Sequence, residues 1–241
     1  MTAKQVLSAL TALARPDKAD FLPGFFQAIP GGYGEGDRFL GCIVPDQRQV
    51  AKRFRELPVT ELRKLLQSPW HECRLTGVII LVDQFQRASK PSNPRRRAQR
   101  DELVQFYLDN LQGVNNWDIV DSSAPKILGE WLLEMPQQRS MLQQLAASQN
   151  LWERRVAVLA TFPLIRSGEF DELLRLAECL LHDEHELMHK AIGWMLRELG
   201  KRDSRVLRAF LSRHISSMPR TMLRYAIEKM PLAERQQWLA K

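Results

Sequence analysis

Apolar residues recur at three- and four-residue steps along most of the chain, clearly from Val50 through Leu66 and again from Leu75 to Ala88. No stretch sustains strict alternation. That period sets successive apolar side chains on one helical stripe, so the pattern predicts an all-α fold. Pro16, Pro58, Pro69, Pro136, Pro163, Pro219 and Pro231 fall between the apolar blocks, and Asp101 and Ser148 stand near expected helix starts. Helices mostly about 10 to 17 residues long are expected from this punctuation.

The helical segments also carry a degenerate internal repeat. His71-Glu-Cys-Arg-Leu, Trp152-Glu-Arg-Arg-Val, Met188-His-Lys-Ala-Ile and Met222-Leu-Arg-Tyr-Ala each bring a cation into an apolar helix, at Arg74, Arg155, Lys190 and Arg224. Arg155 and Lys190 are 35 residues apart, Lys190 and Arg224 are 34 apart, and the 81 residues from Arg74 to Arg155 leave room for two further units. Such periods suit HEAT-like repeats, in which antiparallel helix pairs bury their apolar faces only by stacking on their neighbours. The expectation is one domain over residues 1–241, a curved solenoid of HEAT-like helix pairs with a concave basic face. A non-repeating helical bundle with scattered arginines fits the same pattern.

Composition narrows the function classes. Of 241 residues, 44% are hydrophobic and 26% charged, which belongs to a globular chain rather than a disordered one. Cys42, Cys73 and Cys179 are odd in number and contain no CxxC pair, so neither a disulfide framework nor a thiolate metal site is expected. No apolar run reaches the roughly 20 residues that span a bilayer, and the first residues lack the core of a signal peptide. A soluble, cytoplasmic protein is expected. Lys and Arg number 35 against 28 Asp and Glu, and the net charge of +7 suits a polyanion-binding surface.

Two loops stand out. The segment 30–37, Pro-Gly-Gly-Tyr-Gly-Glu-Gly-Asp, misses the GxGxxG spacing and follows no strand, so a structured turn is expected rather than a dinucleotide site. The segment 89–100 is a basic, proline-bearing connector, either a phosphate contact or a solvated link between two helices.

The segment 115–125, Asn-Asn-Trp-Asp-Ile-Val-Asp-Ser-Ser-Ala-Pro, holds the most informative chemistry. Trp117 and Asp121 are four apart and share a helix face, whereas Ile119 and Val120 point elsewhere. A carboxylate beside an indole suits a cationic sugar-like transition state, because the anion opposes the charge and the ring face attracts it. A capping aspartate and a core tryptophan fit the same two positions. Farther along, Arg154, Arg155, Lys190, Trp194 and Arg197 interleave cations with a second indole, with Lys190 and Trp194 again four apart, as a nucleic-acid cleft requires. A rival is His185-Glu-Leu-Met-His189, which satisfies the HExxH pattern of zinc peptidases. The acidic pair Asp183 and Glu184 just before it suggests a helix entry, with His185 at a turn rather than mid-helix.

At these positions the chain resembles the DNA alkylation repair enzymes of the AlkD type. The resemblance rests on NNWDIVDSSAP (115–125), NLWERRVAV (150–158), HKAIGWMLRE (189–198), MPRTMLRYAIEKM (218–230) and GYGEGDRFLGCIVPDQRQVAKRF (32–54). It implies a curved array of HEAT-like repeats on double-stranded DNA, and excision of positively charged N3- or N7-alkylated purines without metal or organic cofactor. By motif position it implies that Asp121 is the catalytic carboxylate, that Trp117 and Trp194 flank the lesion's sugar, and that Arg155 assists at the backbone. Arg154 is the neighbouring alternative for that arginine. Lys190, Arg197, Arg224 and Arg154 are the expected phosphate contacts, and a monomer is the default state. A non-catalytic helical scaffold for DNA or protein is the main alternative, followed by the zinc peptidase.

Overall fold

The computed structural model describes residues 1–90, 92 and 94–240. Among these the regular elements are all helices and there is no strand, as the apolar period predicts; Arg38 and Trp70 form an isolated bridge. The backbone divides into two compact units, residues 1–123 and 124–241.

The first unit contains α1 (Ala3–Thr11), α2 (Pro16–Phe25), α3 (Val44–Arg53), α4 (Val59–Leu66), α5 (His71–Ala88), α6 (Arg96–Asp109) and α7 (Trp117–Ser123). The apolar stretch Val50–Leu66 is divided between two helices, as the proline between its blocks predicts. Pro58 cannot continue α3 and instead precedes the first residue of α4. Helix α5 is central and is covered by α3, α4, α6 and α7. Val78, Ile80, Leu81 and Phe85 are buried with Leu62, Leu65 and Leu66 of α4. Gln84 closes the far end by donating to the carbonyls of Arg55 and Leu57 at 2.9 and 2.8 Å. This satisfies two acceptors of the link that Pro58 interrupts.

In the basic segment 89–100, Pro91 and Asn93 lie outside the described residues. Arg96 to Arg100 open α6 rather than continuing a connector. The Arg96 Nε donates to the Ser89 carbonyl at 2.9 Å, and the buried Arg100 guanidinium lies 4.9 Å from the centre of the Phe85 ring.

The second unit opens with a π-helical stretch, Pro125–Gly129. It continues through α8 (Glu130–Glu134), α9 (Ser140–Ala146), α10 (Leu151–Ala160), α11 (Phe162–Arg166), α12 (Asp171–Cys179), α13 (Glu186–Arg202), α14 (Ser204–His214), α15 (Arg220–Ala226) and α16 (Leu232–Leu239). Many of these are shorter than the expected 10 residues, because a second proline or polar break cuts the apolar blocks. Helix α10 packs on α13, and α13 packs on α15, while α9, α12 and α14 back them. The core joins Val156, Ala157 and Leu159 to Met188, Ile192, Met195, Leu196, Met222 and Leu223. Side chains cap the starts of three helices. Asn150 Oδ1 accepts from the Trp152 amide at 2.9 Å, His185 Nδ1 from Leu187 at 3.1 Å, and Asp203 Oδ1 from Arg205 at 2.8 Å. The repeated cations are the fourth residue of α5 and the fifth residues of α10, α13 and α15, which in the short α15 is already the last turn. Their surroundings differ: Arg74 and Arg155 are buried, Lys190 is half-buried and Arg224 is exposed.

Candidate functional site

Helix α7 begins where Asn116 stops the preceding backbone. The buried Asn116 Oδ1 accepts from the Trp117 amide at 2.8 Å, and its carbonyl accepts from Val120 at 3.0 Å. Two apolar residues, Ile119 and Val120, are then fully buried, while Trp117, Asp118, Asp121 and Ser122 remain half-buried. Trp117 and Asp121 therefore share the accessible side of one short helix, as their spacing predicts. The indole stacks on Phe26, with ring centres 5.5 Å apart, and meets the half-exposed Phe25 edge-on at 6.0 Å. Burial pushes the Tyr107 phenol up from its ordinary range, and the Asp121 charge adds to this, so the carboxylate lies within electrostatic reach of Tyr107.

A charged cluster that no motif announced lies behind α7. His71, only 2% exposed, places Nδ1 3.2 Å from Asp37 Oδ2 and Nε2 2.9 Å from Asp118 Oδ2. Asp37 also accepts from Arg74 at 2.6 Å and from Asn116 at 3.4 Å. Burial disfavours charge on both His71 and Asp37, yet the opposing partners win. The imidazole is raised to about 9, and the Asp37 carboxyl is held below its ordinary value. The adjoining Glu72 faces away from this cluster and accepts from the amides of Leu40, Gly41 and Cys42 at 2.8 to 3.2 Å. The glycine-rich segment is thus a structured turn. A Cβ on Gly34 would lie 2.4 Å from the Phe26 carbonyl, so its glycine reflects close packing against the helix that carries Phe25.

In the second unit, Lys190, Trp194 and Arg197 occupy the half-buried side of α13, as their spacing predicts. Trp194 is tilted against Phe162, with ring centres 6.5 Å apart. Lys190 pairs with Glu186 at 3.2 Å, and Arg197 pairs with Glu228. The neighbouring arginines of α10 differ in their partners. Arg154 binds Asp183 at 2.7 Å and the carbonyls of Ser148 and Gln149 at 3.1 and 3.0 Å. Arg155 is 5% exposed and donates to the Leu187 carbonyl at 2.7 Å, in the first turn of α13. Arg224 on α15 is exposed.

The HExxH segment serves helix entry. His185 is the capping residue of α13, its Nδ1 occupied by the Leu187 amide, and His189 Nε2 meets the Asp183 carbonyl. Both rings thus engage backbone groups, and among the described residues no cluster of three His, Cys, Asp or Glu side chains takes a metal-binding arrangement. No described helix is long and apolar enough to cross a membrane.

A search of curated proteins returns no match. A solved structure, "Predicted DNA alkylation repair enzyme from Enterococcus faecalis", superposes with a TM-score of 0.69 at 18% identity, covering 91% of this chain and 97% of that one. At that identity the likeness shows the fold. The family model described as DNA alkylation repair enzyme matches residues 6–230, nearly the whole chain. The chain therefore belongs to the DNA alkylation repair enzyme family, with a role in DNA repair.

Proposed function

We propose that the protein is a monofunctional DNA glycosylase that removes positively charged N3- or N7-alkylated purines from duplex DNA. The observation that carries this reading is the joint presentation of Trp117 and Asp121 on the accessible side of α7, in a chain of this repair family. An alkylated purine already carries positive charge. When its N-glycosidic bond breaks, the electron pair passes to the base, which leaves neutral, so no strong general acid is needed. The deoxyribose becomes oxocarbenium-like, and water adds at its anomeric carbon with loss of a proton. Asp121 opposes the developing charge and orients that water, while the face of Trp117 stabilises the cationic sugar. Arg155 assists at the DNA backbone.

The phosphate grip rests first on Arg224, which is exposed, and on Lys190, whose Glu186 partner is itself exposed. Arg197 and Arg154 contribute less net attraction while Glu228 and Asp183 hold them. The chemistry calls on neither metal nor organic cofactor, and the monomer suffices for it.

Incubation with methylated duplex DNA, followed by chromatography of the small-molecule fraction, tests the reading. Free 3-methyladenine or 7-methylguanine is expected. DNA binding without released base would favour a non-catalytic scaffold.

A further inference from the structure

The described residues contain one buried cluster of ionisable side chains that the proposed chemistry leaves unused, and it lies directly behind α7. Both ring nitrogens of His71 face carboxylate oxygens, Asp37 on one side and Asp118 on the other. A neutral imidazole has one N–H and one lone pair, so it would turn that lone pair toward an anion; only the imidazolium donates to both. Charge balance points the same way. Asp37 and Asp118 carry two negative charges against the single positive charge of Arg74, and a protonated His71 supplies the missing cation. No other ionisable side chain faces the ring in the described contacts. Phe26 and Phe39 cover it at 4.4 and 5.1 Å between ring centres, and Glu72 is turned to backbone amides.

Three separate elements meet at this ring. Asp37 belongs to the glycine-rich turn, His71 is the first residue of α5, and Asp118 follows Trp117 in α7. Phe26 lies tilted against His71 and stacks on Trp117, so the aromatic layer and the hydrogen bonds fix the same helix from two sides.

We infer that the His71 imidazolium, bridging Asp37 and Asp118, is a positioning residue that sets α7 and thereby the placement of Trp117 and Asp121 toward the lesion. The catalytic half of this claim rests on the glycosylase reading above. His71 touches no substrate; it acts through Asp118 and Phe26. Loss of its proton turns a donor into a lone pair facing a carboxylate, which loosens α7 without removing either site residue. The raised proton affinity of His71, to about 9, keeps the bridge intact at neutral pH.

Replacing His71 itself risks unfolding, so Asp118→Asn, at a side chain 14% exposed, is the better probe. Single-turnover release of 7-methylguanine is followed from pH 6 to 10 in both proteins, with duplex affinity measured alongside. The wild-type rate is expected to hold steady at neutral pH and fall near pH 9. In Asp118→Asn the fall should move about 1 to 3 units lower, as expected for loss of one neighbouring opposite charge, with the dissociation constant changed less than about twofold. An unshifted alkaline limb, with base release intact, would overturn the positioning role alone. As a second measurement, 19F NMR of protein labelled with 5-fluorotryptophan reports Trp117, assigned through Trp117→Phe. Its resonance should titrate with His71 in the wild type, and at a lower pH in Asp118→Asn. A Trp117 signal that ignores this titration would also overturn the inference. A wild type that releases no base defeats the glycosylase reading and the catalytic half of the claim, and the fluorine titration then decides whether His71 sets Trp117.

Discussion

Asp118 Oδ2 lies 2.9 Å from His71 Nε2 and so ties the second residue of α7 to the first residue of α5. This bond has a thermodynamic signature. The imidazole binds its proton more tightly in the folded protein, about 9 against an ordinary 6.5. Its stabilisation is therefore complete below pH 6.5, declines as pH rises, and is gone above about 9. On the order of 3 kcal/mol of unfolding free energy should be lost across that window. Urea titrations at pH 6, 7.5 and 9 measure it, and His71→Gln should remove most of the slope.

Glu72 tests the other half of this corner. Its carboxylate receives three backbone N–H groups that have no alternative acceptor in the described contacts. Glu72→Gln turns an amide donor toward the Leu40 N–H and leaves three backbone donors to share one neutral oxygen. A destabilisation of about 2 to 3 kcal/mol is expected from the urea midpoint with an unchanged slope.

Gly193 lies where α13 and α15 approach most closely among the described glycines of those helices. A Cβ there would stand 2.5 Å from the Met222 carbonyl oxygen and 2.6 Å from Tyr225 Cβ. The first of these neighbours is backbone and cannot rotate aside. Gly193→Ala should therefore cost about 1 to 3 kcal/mol despite the better helix propensity of alanine. Thermal and urea unfolding read the loss, and an unchanged midpoint would show that α15 yields readily.

The cations separate by their partners. Arg224→Ala and Lys190→Ala should each lower the slope of log affinity against log salt by about one for undamaged duplex, with little change in stability. Arg154→Ala should instead lower stability, because it removes the guanidinium paired with Asp183, which is 4% exposed and keeps the His185 amide, and frees two carbonyls. Fluorescence anisotropy at several salt concentrations, beside a melting curve, distinguishes the two behaviours.

Much of this architecture is legible in the sequence because helices are local. The apolar period marks α5, α10 and α13, and four-residue spacing alone brings Trp117 beside Asp121 and Lys190 beside Trp194. The acidic pair before His185 correctly marks a helix entry. The extent of the short helices is less legible: Pro58 marks a break within Val50–Leu66, but the apolar period runs on across it and does not show where α3 ends. The cluster behind α7 was hidden for a different reason. Asp37, His71 and Asp118 are separated by 34 and 47 residues, and each looks like an ordinary polar residue until the turn, α5 and α7 are folded together. Arginine environment is likewise a tertiary property. Nothing local distinguishes Arg154, held by Asp183, from Arg155, donating to Leu187, although the two are adjacent.

Asp121 is proposed to stabilise a cationic sugar through its carboxylate charge. Asp121→Asn keeps the size of the side chain and removes its charge, so single-turnover release of 7-methylguanine from methylated duplex DNA, at saturating protein, is the most direct test. A rate lower by on the order of 100-fold, with duplex affinity nearly unchanged, is expected. A variant that releases base within twofold of the wild-type rate would contradict it.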